Sequence, residues 1–144
     1  MGMIIWKKGT PAPFLDNEEI LLEEEKFRAI ASRSFPTYRI GFNLPPLWKI
    51  KLYATNLRCR VLVKMIGKIY QDFTMWYPGK NPEGDNEILT SVSLGKSWFG
   101  KYLQIISYDS GRSKWWLMSK KLNLRFYINN VEHWESVIRQ AMKY

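Results

Sequence analysis

The side chains of this chain whose types and spacing could do chemistry are mostly basic. Between Trp48 and Lys68 stand Lys49, Lys51, Arg58, Arg60, Lys64 and Lys68, with no acid among them. A guanidinium can hold two phosphate or carboxylate oxygens at once, and an ammonium adds a movable point charge. Carried on one hairpin, Lys49, Lys51, Arg58, Arg60 and Lys64 would form an anion-binding face. The competing reading is a solvated sheet face whose charges discourage edge-to-edge pairing.

A second candidate is the stretch Lys96-Ser97-Trp98-Phe99-Gly100-Lys101. Two aromatics between lysines could dip into a lipid headgroup layer, or meet a partner, while the ammonium groups stay in water. Against that, packing inside is the simpler expectation for Phe99. Trp115-Trp116 must turn one ring outward if the pair lies in a strand. An outward tryptophan near Tyr127 would mark a partner surface.

Catalysis finds little footing. His133 is the chain's one histidine and Cys59 its one cysteine, so a tetrahedral zinc site of those ligands cannot be assembled. No nucleophile elbow and no glycine-rich phosphate loop occurs. Asp85 and Glu87 are explained as well by a loop. The expectation is a non-enzyme with no metal and no cofactor.

Charge distribution says more about partners. The net charge is +9, and the first 26 residues carry −3 while the remainder carries +12. From Arg28 to Gln71 the chain holds nine cations and no acid. Such a body steers anions toward it, which favours an acidic membrane surface or an acidic protein. Nucleic acid ranks third, because it wants aromatic platforms among the cations and Tyr53 alone supplies little. The 46% hydrophobic and 15% aromatic shares are those of a packed globule. A single cysteine fits a reducing compartment, and apolar runs are too short for a membrane helix. The expected location is the cytoplasm, peripheral to the membrane if lipid is the partner.

These groups need elements to hold them. Residues 1–26 read as an arm, with Pro11-Ala12-Pro13, and a short helix over 17–24 that starts at Asp16-Asn17-Glu18-Glu19. Residues 27–144 read as the folded domain. Period-two alternation predicts strands over 27–33, 48–55 and 57–66, the last two turning at Thr55-Asn56, with Pro36 limiting the first and a loop at 41–46. In that register Lys51 falls near Arg60 and Tyr53 near Arg58, and Cys59 lies dry beneath. Gly67 permits a reversal into 69–77, and 78–85 is a Pro/Gly loop. Further strands follow over 88–94, 102–108, 112–118 and 122–128, with a hairpin turn at Asp109-Ser110-Gly111. Asn129 with Glu132 matches a capping box, and Val131, Trp134, Val137, Ile138 and Met142 form the stripe of a closing helix.

The order of these landmarks has a parallel. Trp-Lys-Ile-Lys-Leu-Tyr-Ala-Thr-Asn-Leu-Arg at 48–58 resembles the strand-turn-strand signature of GRAM and bacterial pleckstrin-homology-like domains. Glu87 to Val92 with Phe99 to Ile105 is similar to the next landmark, and Trp134 matches the tryptophan of the closing helix. The likeness spans about residues 21–142. It implies a mainly β fold: a bent antiparallel barrel of about seven strands with one end closed by the C-terminal helix. Lys51, Arg58 and Arg60 also match, loosely, a Lys-x-Arg-x-Arg phosphoinositide motif of some pleckstrin-homology domains, on a different strand pair. The long aromatic-rich loop at 75–86 and the strand at 122–128 depart from the family pattern. The expected function is a binding module that attaches to acidic lipid headgroups. The alternative is a protein-interaction or self-assembly module, a homo-oligomer held by exposed aromatics and sheet edges.

Overall fold

The computed structural model describes residues 7–25, 27–33, 38–41, 49–65, 67–109 and 121–143, with the backbone alone at 28, 30–33, 38–41, 49 and 65. It is mainly β with one C-terminal helix. The strands are β1 (Lys7–Lys8), β2 (Ile20–Glu25), β3 (Arg28–Arg33), β4 (Tyr38–Gly41), β5 (Lys49–Thr55), β6 (Arg58–Met65), β7 (Ile69–Trp76), β8 (Glu87–Ser97), β9 (Gly100–Asp109) and β10 (Lys121–Tyr127). Helix α1 spans Val131–Met142. The expected loop at 42–46, Pro36, Trp48, the strand over 112–118 and Trp115-Trp116 lie outside the described residues.

The pairing order is β2-β5-β6-β7-β8-β9-β10-β3-β4, with β1 against β7. Antiparallel ladders build two groups, β2-β5-β6-β7 and β8-β9-β10-β3-β4. Among the described residues they join through one parallel bridge, Trp76 opposite Ile88. Alternation explains why both groups bury one face. Ile50, Leu52 and Ala54 of β5, Cys59, Val61 and Val63 of β6, and Phe73 and Met75 of β7 point inward. They share one core with Leu89, Val92, Leu103, Ile105, Leu122, Leu124 and Phe126 of the other group.

The closing helix lies on that core. Val131, Trp134, Ile138 and Ala141 are buried along one stripe, and α1 touches β2 and β5 on one side and β8 and β9 on the other. Its start differs from the capping box expected at Asn129. The cap is Asn130, in the left-handed region at φ 56°, without a side-chain cap bond. Asparagine tolerates that conformation better than most residues.

Residues 17–24 are the larger correction. Instead of a helix, Ile20–Glu25 is a strand, aligned antiparallel on β5 with Glu23 opposite Tyr53 and Glu25 opposite Lys51. A register shift between Ile20 and Leu22 marks a bulge at Leu21. The acid-rich sequence suits a helix locally. The edge of a lysine-bearing strand offers it backbone partners and opposite charge, and cross-strand pairs of opposite sign are favourable. Tertiary pairing overrides local propensity here.

Candidate functional site

The basic hairpin forms, with a register of its own. Thr55 and Arg58 flank a turn at Asn56-Leu57, not Thr55-Asn56, so Arg60 stands opposite Tyr53 and Lys49 opposite Lys64. The Thr55 hydroxyl sets this turn by accepting the amides of Leu57 at 3.1 Å and Arg58 at 3.0 Å. Cys59 is buried, as alternation requires. Burial pushes its thiol up to about 12, and its sulfur lies 3.8 Å from the Tyr77 hydroxyl. That hydroxyl donates to the Thr55 carbonyl at 2.8 Å.

The two arginines share the outer face, but they are not free to meet a ligand. Arg58 is 7% exposed and Arg60 1%. Arg58 grips the Glu18 carboxylate with both arms of its fork, at 2.8 Å from Nε and 2.9 Å from Nη2. Its guanidinium also lies 4.5 Å from the centre of the Trp76 ring. Arg60 holds Asp72 the same way, at 2.9 and 2.6 Å, and donates to the Ala12 carbonyl. Lys51 donates to Glu23 at 3.0 Å, which raises the ammonium's affinity for its proton. The expected outward anion face is therefore corrected at Arg58, Arg60 and Lys51: the protein's own carboxylates occupy them.

The occupant is the N-terminal arm. Gly9 donates its amide to the Lys68 carbonyl at 2.8 Å, and Phe14 packs edge-on against Tyr53 at 5.0 Å between centroids. The Arg60 guanidinium lies 4.9 Å from the Phe14 ring centre. Glu18 accepts the Thr55 hydroxyl at 2.7 Å and the Leu15 amide at 3.1 Å. Asn56 takes the Glu19 amide at 2.7 Å and gives its own side-chain N–H to the Asn17 carbonyl at 3.1 Å. Burial alone would push the Glu18 carboxyl up. The bonds from Arg58, Thr55 and Leu15, with the Arg58 charge, outweigh it and hold the group below its ordinary value. The acid-rich first 26 residues thus supply counter-charge to the acid-free stretch that follows them.

At the other end of the same face Lys64 is exposed, and Lys49 keeps its place opposite it in the ladder.

The second candidate is presented more openly than the sequence suggests. Ser97 pairs with Gly100, leaving Trp98-Phe99 as the two-residue turn between β8 and β9, and Gly100 supplies the positive φ of 110° that closes it. Trp98 is 95% exposed and Phe99 61%. The expectation that Phe99 packs inside is overturned, because the two-residue turn leaves it mostly exposed, with its ring edge-on to Tyr127 at 6.1 Å. Lys96 and Lys101 face each other across the ladder just behind the tip. Lys101 reaches Glu132 at the start of α1, 2.9 Å away, and its hydrogen bond draws that carboxyl down. Ser97 meets Tyr127 at 2.9 Å, tying the turn to β10. Leu94 lies exposed on the same side of β8, two pairs behind the tip.

The groups searched for chemistry stay apart. His133 is exposed on α1, and Asp85 accepts the Trp76 indole N–H at 3.0 Å within the 78–85 loop. Among the described residues no three His, Cys, Asp or Glu side chains gather as a metal site. No described helix is long and apolar enough to cross a membrane. Comparisons with family models, with curated proteins and with solved structures returned no match.

Proposed function

We propose that this protein is a non-catalytic binding module that attaches to acidic lipid surfaces through the β8–β9 turn. The observation that carries the reading is a turn with Trp98 almost fully exposed and Phe99 mostly so, backed by Lys96 and by Lys101, which also reaches Glu132. Tryptophan favours the headgroup level of a bilayer, and each lysine near an acidic leaflet adds on the order of 1 kcal/mol. A cytoplasmic, membrane-peripheral location belongs to the same proposal. So does the pleckstrin-homology-like barrel, supported by a helix that touches both strand groups and by their common core. Compared with the sequence expectation, the contact moves from the arginine hairpin to the aromatic turn.

Sedimentation with vesicles of phosphatidylserine and phosphatidylcholine, against phosphatidylcholine alone, tests this. The expected result is attachment to the anionic vesicles only, released as salt rises, and at least tenfold weaker for Trp98→Ser with Phe99→Ser. Equal attachment of that double variant, or equal attachment to both vesicle types, overturns it. An unchanged thermal unfolding midpoint checks that the double variant is folded.

A second reading, self-assembly, is favoured by β2. It is a terminal strand with Ile20 and Leu21 exposed, and an open apolar edge invites another strand. It requires a mass that grows with concentration in light scattering. A constant monomer mass removes it.

A further inference from the structure

The cations left open by the arm are not scattered. Lys64 of β6 and Lys7 of β1 are the cross-strand partners of Tyr70 on either side, and Lys49 of β5 is the partner of Lys64. Partners in a ladder share a face, so Lys49, Lys64, Tyr70 and Lys7 form one row across four strands. Lys68, in the adjoining turn with φ 61°, is exposed beside it. Three inter-strand steps of about 4.8 Å make the row about 14 Å long.

Lys7, Lys64 and Lys68 have no carboxylate partner among the described residues. The described acids nearest the row are Asp72, held by Arg60, Glu23, held by Lys51, and Glu25, opposite Lys51 on β2. Tyr70, in the middle of the row, is half-buried and has no aromatic partner among the described residues.

We infer that this row binds the phosphate backbone of a single-stranded nucleic acid, with one base stacked on Tyr70. Alternating cations and an aromatic platform are what such a strand requires. A bilayer fits less well, because Tyr70 is half-buried between Lys64 and Lys7, whereas Trp98 is 95% exposed at its tip. The row is separate from the lipid tip. β8 starts level with the last residue of β7 and runs on parallel to it, away from Tyr70. Pairing of β1 with β7 supplies Lys7, so the arm whose Glu18 neutralises Arg58 also completes the lysine row.

Fluorescence anisotropy of a short labelled oligothymidylate with the full chain, across salt concentrations, tests the site. Lys7, Lys64 and Lys68 on a single strand predict a slope of log K against log salt near about −2, and Lys64→Gln should make it shallower by about 0.7. Tyr70→Leu, which fills the space without a π-face, should weaken binding about tenfold with the slope unchanged. Tyr70→Phe should restore it, and Trp98→Ser should leave it as it was. Absence of binding at low salt overturns the site. So does wild-type behaviour in both Lys64→Gln and Tyr70→Leu, which would assign binding to the basic body at large. Loss of anionic-vesicle attachment in those two variants, with oligonucleotide binding kept, would hand the row to the membrane instead. Because Trp98→Ser separates the two sites, failure of this inference and failure of the lipid reading are told apart.

Discussion

Replacing Glu18 with glutamine tests the central packing event of this molecule, the capture of the basic hairpin by the N-terminal arm. The Glu18 side chain is 0% exposed and that of Arg58 8%, so the substitution strands a guanidinium where water hardly reaches. Removing one member of a buried ion pair costs about 3–5 kcal/mol. Glutamine keeps the shape and one acceptor, and Arg58 retains Thr74 at 3.3 Å and the Trp76 ring. The low end applies, about 3 kcal/mol. For a chain of this size that lowers the melting temperature by about 10 °C. The sign with pH follows from Glu18, whose carboxyl is held below its ordinary value in the folded state. Its contribution is fully present above the unfolded carboxyl's pKa and is lost as pH falls through the folded one. Thermal unfolding of wild type and Glu18→Gln followed by circular dichroism should therefore show a wide gap at neutral pH. The gap should close in acid, where wild type too becomes neutral at this position. A gap of under about 2 °C at neutral pH, or one that persists unchanged in strong acid, would refute the capture argument.

Two further outcomes follow from the core and its edges. Gly95 stands opposite Tyr102, and a Cβ there would meet the ring at 2.2–2.5 Å. Arg125 over that ring at 4.8 Å and Tyr127 at 5.5 Å hinder its retreat. Gly95→Ala should cost about 1–3 kcal/mol in urea unfolding, and an unchanged midpoint would contradict the packing described. Cys59, buried and with its thiol pushed up to about 12, should ignore a disulfide reagent in the native protein and react on unfolding. Rapid modification without unfolding would place it at the surface.

Much of the scaffold was legible because strand and helix patterns are local. Alternation from Ile50 to Val63 named the inward residues, Cys59 included, since successive side chains of a strand must take opposite faces. The stripe through Val131, Trp134 and Ile138 identified the closing helix for the same kind of reason. The candidate sites were legible only as compositions. Lys96 to Lys101 could be quoted, yet whether Phe99 packs or projects depends on a turn closed by Ser97 and Gly100. Tyr70 and Lys7 gave no signal at all, being 63 positions apart and brought together by the β1–β7 pairing.

The sequence by itself determined a mainly β chain, its buried faces and its division into an acidic start and a basic body. Tertiary structure decided what that division is for. Ile20–Glu25, helix-prone in isolation, becomes a strand because β5 offers an open edge bearing Lys51. That pairing sets the arm across β5–β7, where Glu18 fills the fork of Arg58 and Phe14 lies over Arg60. Which carboxylate meets which cation is a matter of distance in space, and no spacing along the chain encodes it. Among the described residues of the β6–β7 and β1 side of this face, Lys7, Lys64 and Lys68 stay exposed, beyond the arm's acids.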